Sequence, residues 1–164
     1  MNESPVNEIL AIESFTIDTP VGRLLIKIKD DRLANIHLNS QFELIAAQTR
    51  FGKIVTRQLE NYFKKPEFEF DLSLLQSGTE HQLKVWSALR QIPPGSVLTY
   101  GQLAQKIGSS ARAIGNACRN NPVPIVVPCH RIVAASDIGG FSGAQQGVLL
   151  EIKRHLLNHE GLFF

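Results

Sequence analysis

The sequence predicts an α/β chain in two parts: a small antiparallel sheet with helices over residues 1–77, and a mostly helical part over 78–164 containing a helix-turn-helix. Three observations lead there. The first forty residues are short β-type runs separated by turn residues. From Ser77-Gly78-Thr79 onward the texture changes to short helical stretches, each opened by a capping residue. The charge divides at the same place. Residues 1–80 carry nine Lys/Arg against twelve Asp/Glu, a net −3, and residues 81–164 carry eight against three, a net +5.

The elements follow in order. Glu13 to Ile17 reads as a strand ending at Asp18-Thr19-Pro20. Leu24 to Lys29 reads as a second strand, turned by Asp30-Asp31, and Leu33 to Leu38 as a third. Such a meander needs a cover on one face. Helices are expected over Phe42 to Phe51 and Lys53 to Phe63, the latter with a stripe of Ile54, Leu59, Tyr62 and Phe63. Pro66 to Leu75 alternates Phe68, Phe70, Leu72 and Leu74 with Glu67, Glu69, Asp71 and Ser73, the pattern of an extended return. Thr79 with Gln82 is a capping-box signature. Behind it Leu83, Trp86 and Leu89 lie at helical spacing, with Ile92 at the exit and Pro93-Pro94-Gly95 as the stop. Thr99 with Gln102 repeats the signature, and Tyr100, Leu103 and Ile107 give the inward face of a helix closed by Gly108. Ser110 caps the next, Ala111 to Arg119. The tight Gly108-Ser109-Ser110 turn between these two makes the helix-turn-helix.

Composition excludes several classes. At 43% hydrophobic and 20% charged the chain is neither disordered nor fibrous. No run approaches the ~18 apolar residues of a membrane helix. The start Met1-Asn2-Glu3-Ser4-Pro5 lacks a basic n-region, so no signal peptide is expected. Cys118 and Cys129 are the only cysteines, too few for a disulfide framework, and no Cys/His cluster has zinc spacing. A cytoplasmic monomer with no metal is the expectation.

The basic half suggests a polyanionic partner. Between Glu80 and Asp137 no acidic residue occurs in 56 positions, while Lys84, Arg90, Lys106, Arg112, Arg119 and Arg131 do. The helix Ala111–Arg119 is small-sided, with Ala111, Ala113, Gly115 and Ala117 between Arg112 and Arg119. Such a helix can enter a nucleic-acid groove, or it can pack tightly in a core. Further on, Ile125 to Val127 is a short buried run fenced by prolines, which should hold Cys129 rigidly. Free cysteine titrates near about 8.5, and the adjacent His130 and Arg131 could lower that toward a thiolate. Covalent catalysis needs such a base, itself oriented by a third group. An inert core cysteine is the competing reading.

The run Asn121-Pro122-Val123-Pro124-Ile125-Val126-Val127-Pro128-Cys129-His130-Arg131 resembles the active-site signature of the O6-alkylguanine-DNA alkyltransferases. The likeness extends through Tyr100-Gly101-Gln102-Leu103-Ala104, Ala111-Arg112-Ala113-Ile114-Gly115, Phe141-Ser142-Gly143 and Leu156 to Gly161. It covers 78–164 and, more weakly, the N-terminal half through Thr19-Pro20-Val21-Gly22. The resemblance implies a ribonuclease-H-like N-terminal part and a single-turnover transfer of an alkyl group. The group moves from O6-alkylguanine in duplex DNA, with O4-alkylthymine a second candidate, to Cys129 after nucleotide flipping, with no cofactor. It implies that His130 takes the thiol proton through a water, that Glu160 orients the imidazole, and that Asn121 braces the turn. It further implies that Tyr100 assists flipping and donates a proton, that Arg112 fills the gap in the base stack, and that Ala113, Gly115 and Arg119 face DNA. Ser142, with the backbone around Cys129 and Ile132, would read the guanine edge; Cys118 and Phe141 would form pocket wall. There are departures. The Gly108–Ser110 turn is about two residues short, Phe141 replaces a common tyrosine, Ala144 a usual glycine, and Gln145 to Leu149 looks like an insertion. Residue chemistry alone leaves open a helix-turn-helix regulator or lesion sensor with a reactive cysteine, and a Cys-His hydrolase.

Overall fold

The computed structural model describes residues 12–164, and the polar start Met1–Pro5 lies outside them. Strands β1 (Ile12–Thr19), β2 (Gly22–Lys29) and β3 (Arg32–His37) form an antiparallel meander in sequence order. Pairing of Thr19 with Gly22 leaves Pro20-Val21 as the first turn. The second turn is Asp30-Asp31, both with positive φ (50° and 54°), the geometry that matches strand twist in a two-residue hairpin. Period-2 alternation puts Phe15, Ile17, Leu24, Ile26 and Ile28 into the core, and a bulge in β3 opposite Lys27 and Ile28 brings both Leu33 and Ile36 to that face.

Helix α1 (Arg50–Lys64) covers this layer through Val55, Leu59 and Tyr62, all fully buried. Ile54 and Phe63 of the expected stripe pack at its edge. The expected helix over Phe42 to Phe51 does not form; residues 38–49 are irregular. Local hydrogen bonds to β1 outcompete it. Thr16 N–H donates to Ile45 O (2.9 Å), Ile45 N–H to Thr16 Oγ1 (2.6 Å), and Thr16 Oγ1 to Glu43 O (2.9 Å). The Glu13 carboxylate accepts from Gln48 N–H (2.6 Å), and Thr49 caps α1 from Gly52 N–H (3.0 Å). The return through Pro66–Leu75 is extended, with Leu74 bridging Leu33, Leu72 buried, and Glu67, Glu69 and Asp71 exposed.

Beyond it come α2 (Glu80–Leu89), β4 (Leu98–Thr99), α3 (Tyr100–Ile107), α4 (Ala111–Arg119), a 3₁₀ turn (Cys129–Arg131), β5 (Ile132–Val133) and α5 (Val148–His159). Both expected capping boxes are present, Thr79 with Gln82 and Thr99 with Gln102. Ser110 caps α4, and Gly108 closes α3 at φ 70°. Two details differ from expectation. Leu83 is exposed and Val85 takes the core position, because α2 turns its Val85–Trp86–Leu89 side inward. That helix ends at Leu89, ahead of the prolines, which leaves the Pro-Pro-Gly turn free for another role. Trp86 Nε1 donates to Ala117 O (2.9 Å), locking α2 to α4.

One continuous core runs across residue 77, from Phe15 to Leu156. The halves are also joined by polar bonds: Ile36 N–H to Pro122 O (2.9 Å) and His159 Nε2 to Tyr62 O (2.6 Å). The mixed α/β class holds, with a small antiparallel sheet and five helices.

Replacing Thr16 by Val should cost about 1 kcal/mol, by stranding the Ile45 amide and the Glu43 carbonyl. Hydrogen exchange at Ile45 should quicken; an unchanged exchange rate would show that residues 43–45 are held by something else.

Candidate active site

Cys129 sits at the end of a loop held in an uncommon shape. Val127 N–H bonds Val123 O (2.9 Å), which forces Ile125 to φ 76°, a region a β-branched residue avoids. The cost of such a conformation is about 1–3 kcal/mol, tolerated only where surroundings over-determine it. Here Asn121 does so: its Nδ2 donates to Val127 O (2.8 Å) and to Cys129 Sγ (3.3 Å), while its Oδ1 accepts from Val123 N–H (3.0 Å).

Cys129 is 4% exposed, yet it lines a cavity of about 540 Å³ that opens to solvent. The walls come from α4 (Ala111, Gly115, Cys118, Arg119), from Tyr100, and from residues 134–145. Phe141 and Ser142 are on this wall as well. Tyr100 lies against Gly115 and Gly139, where an added Cβ would come within 4.0 Å and 3.2 Å of its ring. The hydroxyl is 3.5 Å from Gly140 O. Burial, then the neighbouring thiols, push Tyr100 up to about 12, so its proton stays on at neutral pH.

Behind the sulfur is a buried polar cluster centred on Glu160. Its carboxylate accepts from Tyr62 Oη (2.6 Å), His130 Nε2 (2.6 Å), Arg131 Nε (2.9 Å) and Nη2 (3.2 Å), and Gly95 N–H (3.2 Å). Arg131 Nη1 reaches Ile92 O (2.6 Å), so the chain from Ile92 to Gly95 supplies two backbone partners here. Burial works to raise Glu160, but the His130 bond and the bonds and charge of Arg131 outweigh it and hold the acid well below the carboxylate range. Burial lowers His130 despite Glu160, leaving the imidazole neutral. Its contact with Glu160 is then a hydrogen bond from Nε2–H and not an ion pair. Nδ1 carries the lone pair and has no protein partner.

The chemistry and geometry match known proteins. The family model for 6-O-methylguanine DNA methyltransferase, DNA binding domain, matches residues 80–162. The methylated-DNA–protein-cysteine methyltransferase of Methanosarcina acetivorans is 36% identical over 152 residues, covering 88% of this chain and 95% of that one. The chain belongs to the methylated-DNA–protein-cysteine methyltransferase family. The constitutive Bacillus subtilis protein of that name is 34% identical over 161 residues, with 91% and 95% coverage. Among solved structures, the Mycobacterium tuberculosis O6-methylguanine methyltransferase has a TM-score of 0.76 at 35% identity, covering 92% of this chain and 93% of that one. That organism's OGT in complex with DNA gives 0.74 at 36% identity, with 90% and 92% coverage.

The sequence reading of this methyltransferase-family site needs two corrections. The thiol is not lowered by its neighbours. Burial pushes Cys129 up; the Asn121 bond and the charge of Lys153 only partly oppose it, and Arg131 is occupied by Glu160. Ile132 is not on the cavity wall: its N–H bonds Cys129 O, its carbonyl accepts from Lys153 Nζ (2.6 Å), and it pairs with Leu98 in the parallel β4–β5 ladder. Of the stretch Gln145 to Leu149, Gln145–Gly147 lie in the loop before α5 and Val148 and Leu149 in its first turn. Arg112 and Arg119 are exposed on α4, and Ala113 and Gly115 are half-buried, while Ile114, Ala117 and Cys118 face the core. The small-sided helix is thus packed on one face and open on the other.

Lys153 escaped the sequence reading. It is fully buried in α5, with Nζ on Ile132 O and on Gly140 O (2.8 Å), and burial draws it down to about 8. A lone cation on the apolar Ile152–Leu156–Leu157 face was the available signal. Tyr62 was read only as packing; nothing local reveals a partner 98 residues away.

Both Glu160 and His130 are depressed in the folded state, so each stabilises the fold above its unfolded value and loses that contribution as pH falls. The decline starts near about 6.5 for His130 and near about 4.3 for Glu160. Glu160→Gln leaves Arg131 buried without its carboxylate and should cost about 3–5 kcal/mol at pH 7.5. Urea unfolding should show the gap from wild type holding steady down to about pH 4.3 and narrowing below it; a gap unchanged at about pH 3 would mean Glu160 is not ionised in the fold.

Proposed function

We propose that this protein repairs DNA by taking the alkyl group of O6-alkylguanine irreversibly onto Cys129, one group per molecule. The observation that carries the reading is the free thiol of Cys129 lining an open cavity. Behind it are a neutral imidazole, oriented by a buried carboxylate, and a loop closed by Asn121. Family membership and the DNA-bound relative support the duplex as substrate.

The steps follow from the groups present. Burial keeps Cys129 protonated at rest, so the thiolate forms as the base acts. His130 Nδ1 takes the proton through a water, while Glu160 holds Nε2–H and stabilises the imidazolium. Asn121 Nδ2 and the Lys153 ammonium stabilise the developing charge on sulfur. Sulfur attacks the alkyl carbon in line; the S–C bond forms as C–O6 breaks, and the electron pair passes into the purine. The Tyr100 hydroxyl protonates the ring nitrogen and is reprotonated from solvent. The products are guanine and an S-alkyl cysteine, a thioether that nothing in the cavity can hydrolyse.

The target carbon lies inside the stack, so the nucleotide must be everted at a cost of about a few kcal/mol. We assign α3, the Gly108–Ser110 turn and α4 to a helix-turn-helix. Its open face (Ala113, Gly115, Arg119) lies along a minor groove only ~6 Å wide, with Arg112 entering the vacated position. Ser142 at the cavity mouth faces the base edge. The sheet and α1 read as a ribonuclease-H-like layer over residues 1–77, joined to the acceptor part, 78–164, by the shared core. Both cysteines are free, which suits a cytoplasmic monomer.

After incubation with a methylated duplex, the peptide containing Cys129 should gain one methyl group, at most one per chain, and Cys129→Ser should gain none. Repeated turnover would indicate a hydrolase, and tight binding without transfer a sensor. Lys153→Met should slow transfer roughly tenfold at pH 7 by removing a charge beside the sulfur. Because Lys153 itself loses its proton near about 8, the variant should converge with wild type above that pH. A pH–rate profile unchanged by the substitution would exclude the charge from the reaction.

A further inference from the structure

The cavity wall opposite α4 is a tight turn. Phe141 N–H bonds Ala144 O (2.9 Å) and Ala144 N–H bonds Phe141 O (2.8 Å), with Ser142 and Gly143 at positive φ (49° and 83°). On one side the turn rests on Arg119, whose Nε is 2.9 Å from where a Gly143 Cβ would be. On the other, the chain doubles back and lays Gln145 over Gly140: a Cβ there would meet Gln145 Nε2 at 2.8 Å and Cδ at 3.4 Å. The Gly140 peptide is the one whose carbonyl takes Lys153 Nζ and faces the Tyr100 hydroxyl. Gln145 therefore occupies the space that a side chain at Gly140 would take, and both residues line the cavity. Most of the nearby wall is short: Cys118, Ala134, Gly139 and Gly140. Phe141 is fixed by burial, at 3% exposure, and Tyr100 is hemmed in by Gly115 and Gly139. Of the longer side chains on the turn, Gln145 is the one outside the core.

We infer that Gln145 is a specificity-determining residue, its side-chain bulk setting the largest alkyl group that the cavity accepts. This rests on the alkyl-transfer reading above. A methyl group leaves Gln145 where it is. A benzyl group needs the volume over Gly140, and the amide must be displaced for it to fit. The effect is one of volume and not of hydrogen bonding, so a side chain of equal length without the amide performs equally.

The test uses the full chain and duplexes carrying O6-methylguanine or O6-benzylguanine, with transfer to Cys129 followed by mass spectrometry. Gln145→Ala should raise the ratio of benzyl to methyl rate constants about tenfold, the scale on which an apolar pocket discriminates by size. The methyl rate itself should stay within about twofold, because Gln145 touches neither the sulfur nor its base. Gln145→Met should keep the wild-type ratio. An unchanged ratio in Gln145→Ala would overturn the inference, as would Gln145→Met behaving like Gln145→Ala. A wild-type chain that takes no methyl group at all would overturn the reaction and this inference together.

Discussion

The carboxylate of Glu160 receives five hydrogen bonds from three stretches of chain: Tyr62 in the first helix, Gly95 in the Pro-Pro-Gly turn, and His130 and Arg131 beside the sulfur. Taking it out of water is costly, and the donors around it make that burial tolerable. The arrangement has a direction. Burial, helped by the Arg131 charge, keeps the imidazole uncharged, and its Nε2 bond to Glu160 fixes the tautomer whose lone pair is on Nδ1. The base in the site is a consequence of how the acid is paired.

The electrostatics of the sulfur follow the same logic. A thiol surrounded by apolar chain does not ionise on its own, and neither neighbour in sequence changes that. What acts on it is more remote: an amide held by the loop it closes, and an ammonium rooted in the last helix. Reactivity is conditional on proton acceptance by His130, so an idle thiol is protected from electrophiles that do not enter the cavity.

Much of this was legible in the chain of letters. Thr79, Thr99 and Ser110 announce their helices because capping is a local matter of one hydroxyl and three amides. Alternation gave the meander and the Phe68–Leu74 return. The family resemblance of the run around Cys129 singled out Cys129, His130 and Asn121 as candidates for nucleophile, base and brace. What could not be read were interactions closed over long distances. The stretch 42–49 lost its helix to bonds with Thr16, some thirty residues away. Tyr62 and Gly95 were visible only as a core residue and part of a helix stop, Lys153 went unnoticed, and only folding brings them to one site. The sign of the thiol shift was misjudged for the same reason, since adjacency in sequence does not report where a guanidinium points.

The continuity of the core across residue 77 has a wider bearing. The Tyr62 hydroxyl of α1 is bonded to the buried acid Glu160, and Ile36 of β3 donates to Pro122 at the start of the loop carrying the sulfur. The amino-terminal layer therefore cannot drift freely under selection while the carboxy-terminal motif is kept. Substitutions around Tyr62 should be constrained as tightly as those near the motif, and a paralogue that shed this layer would have had to rebuild the interior around a different polar partner.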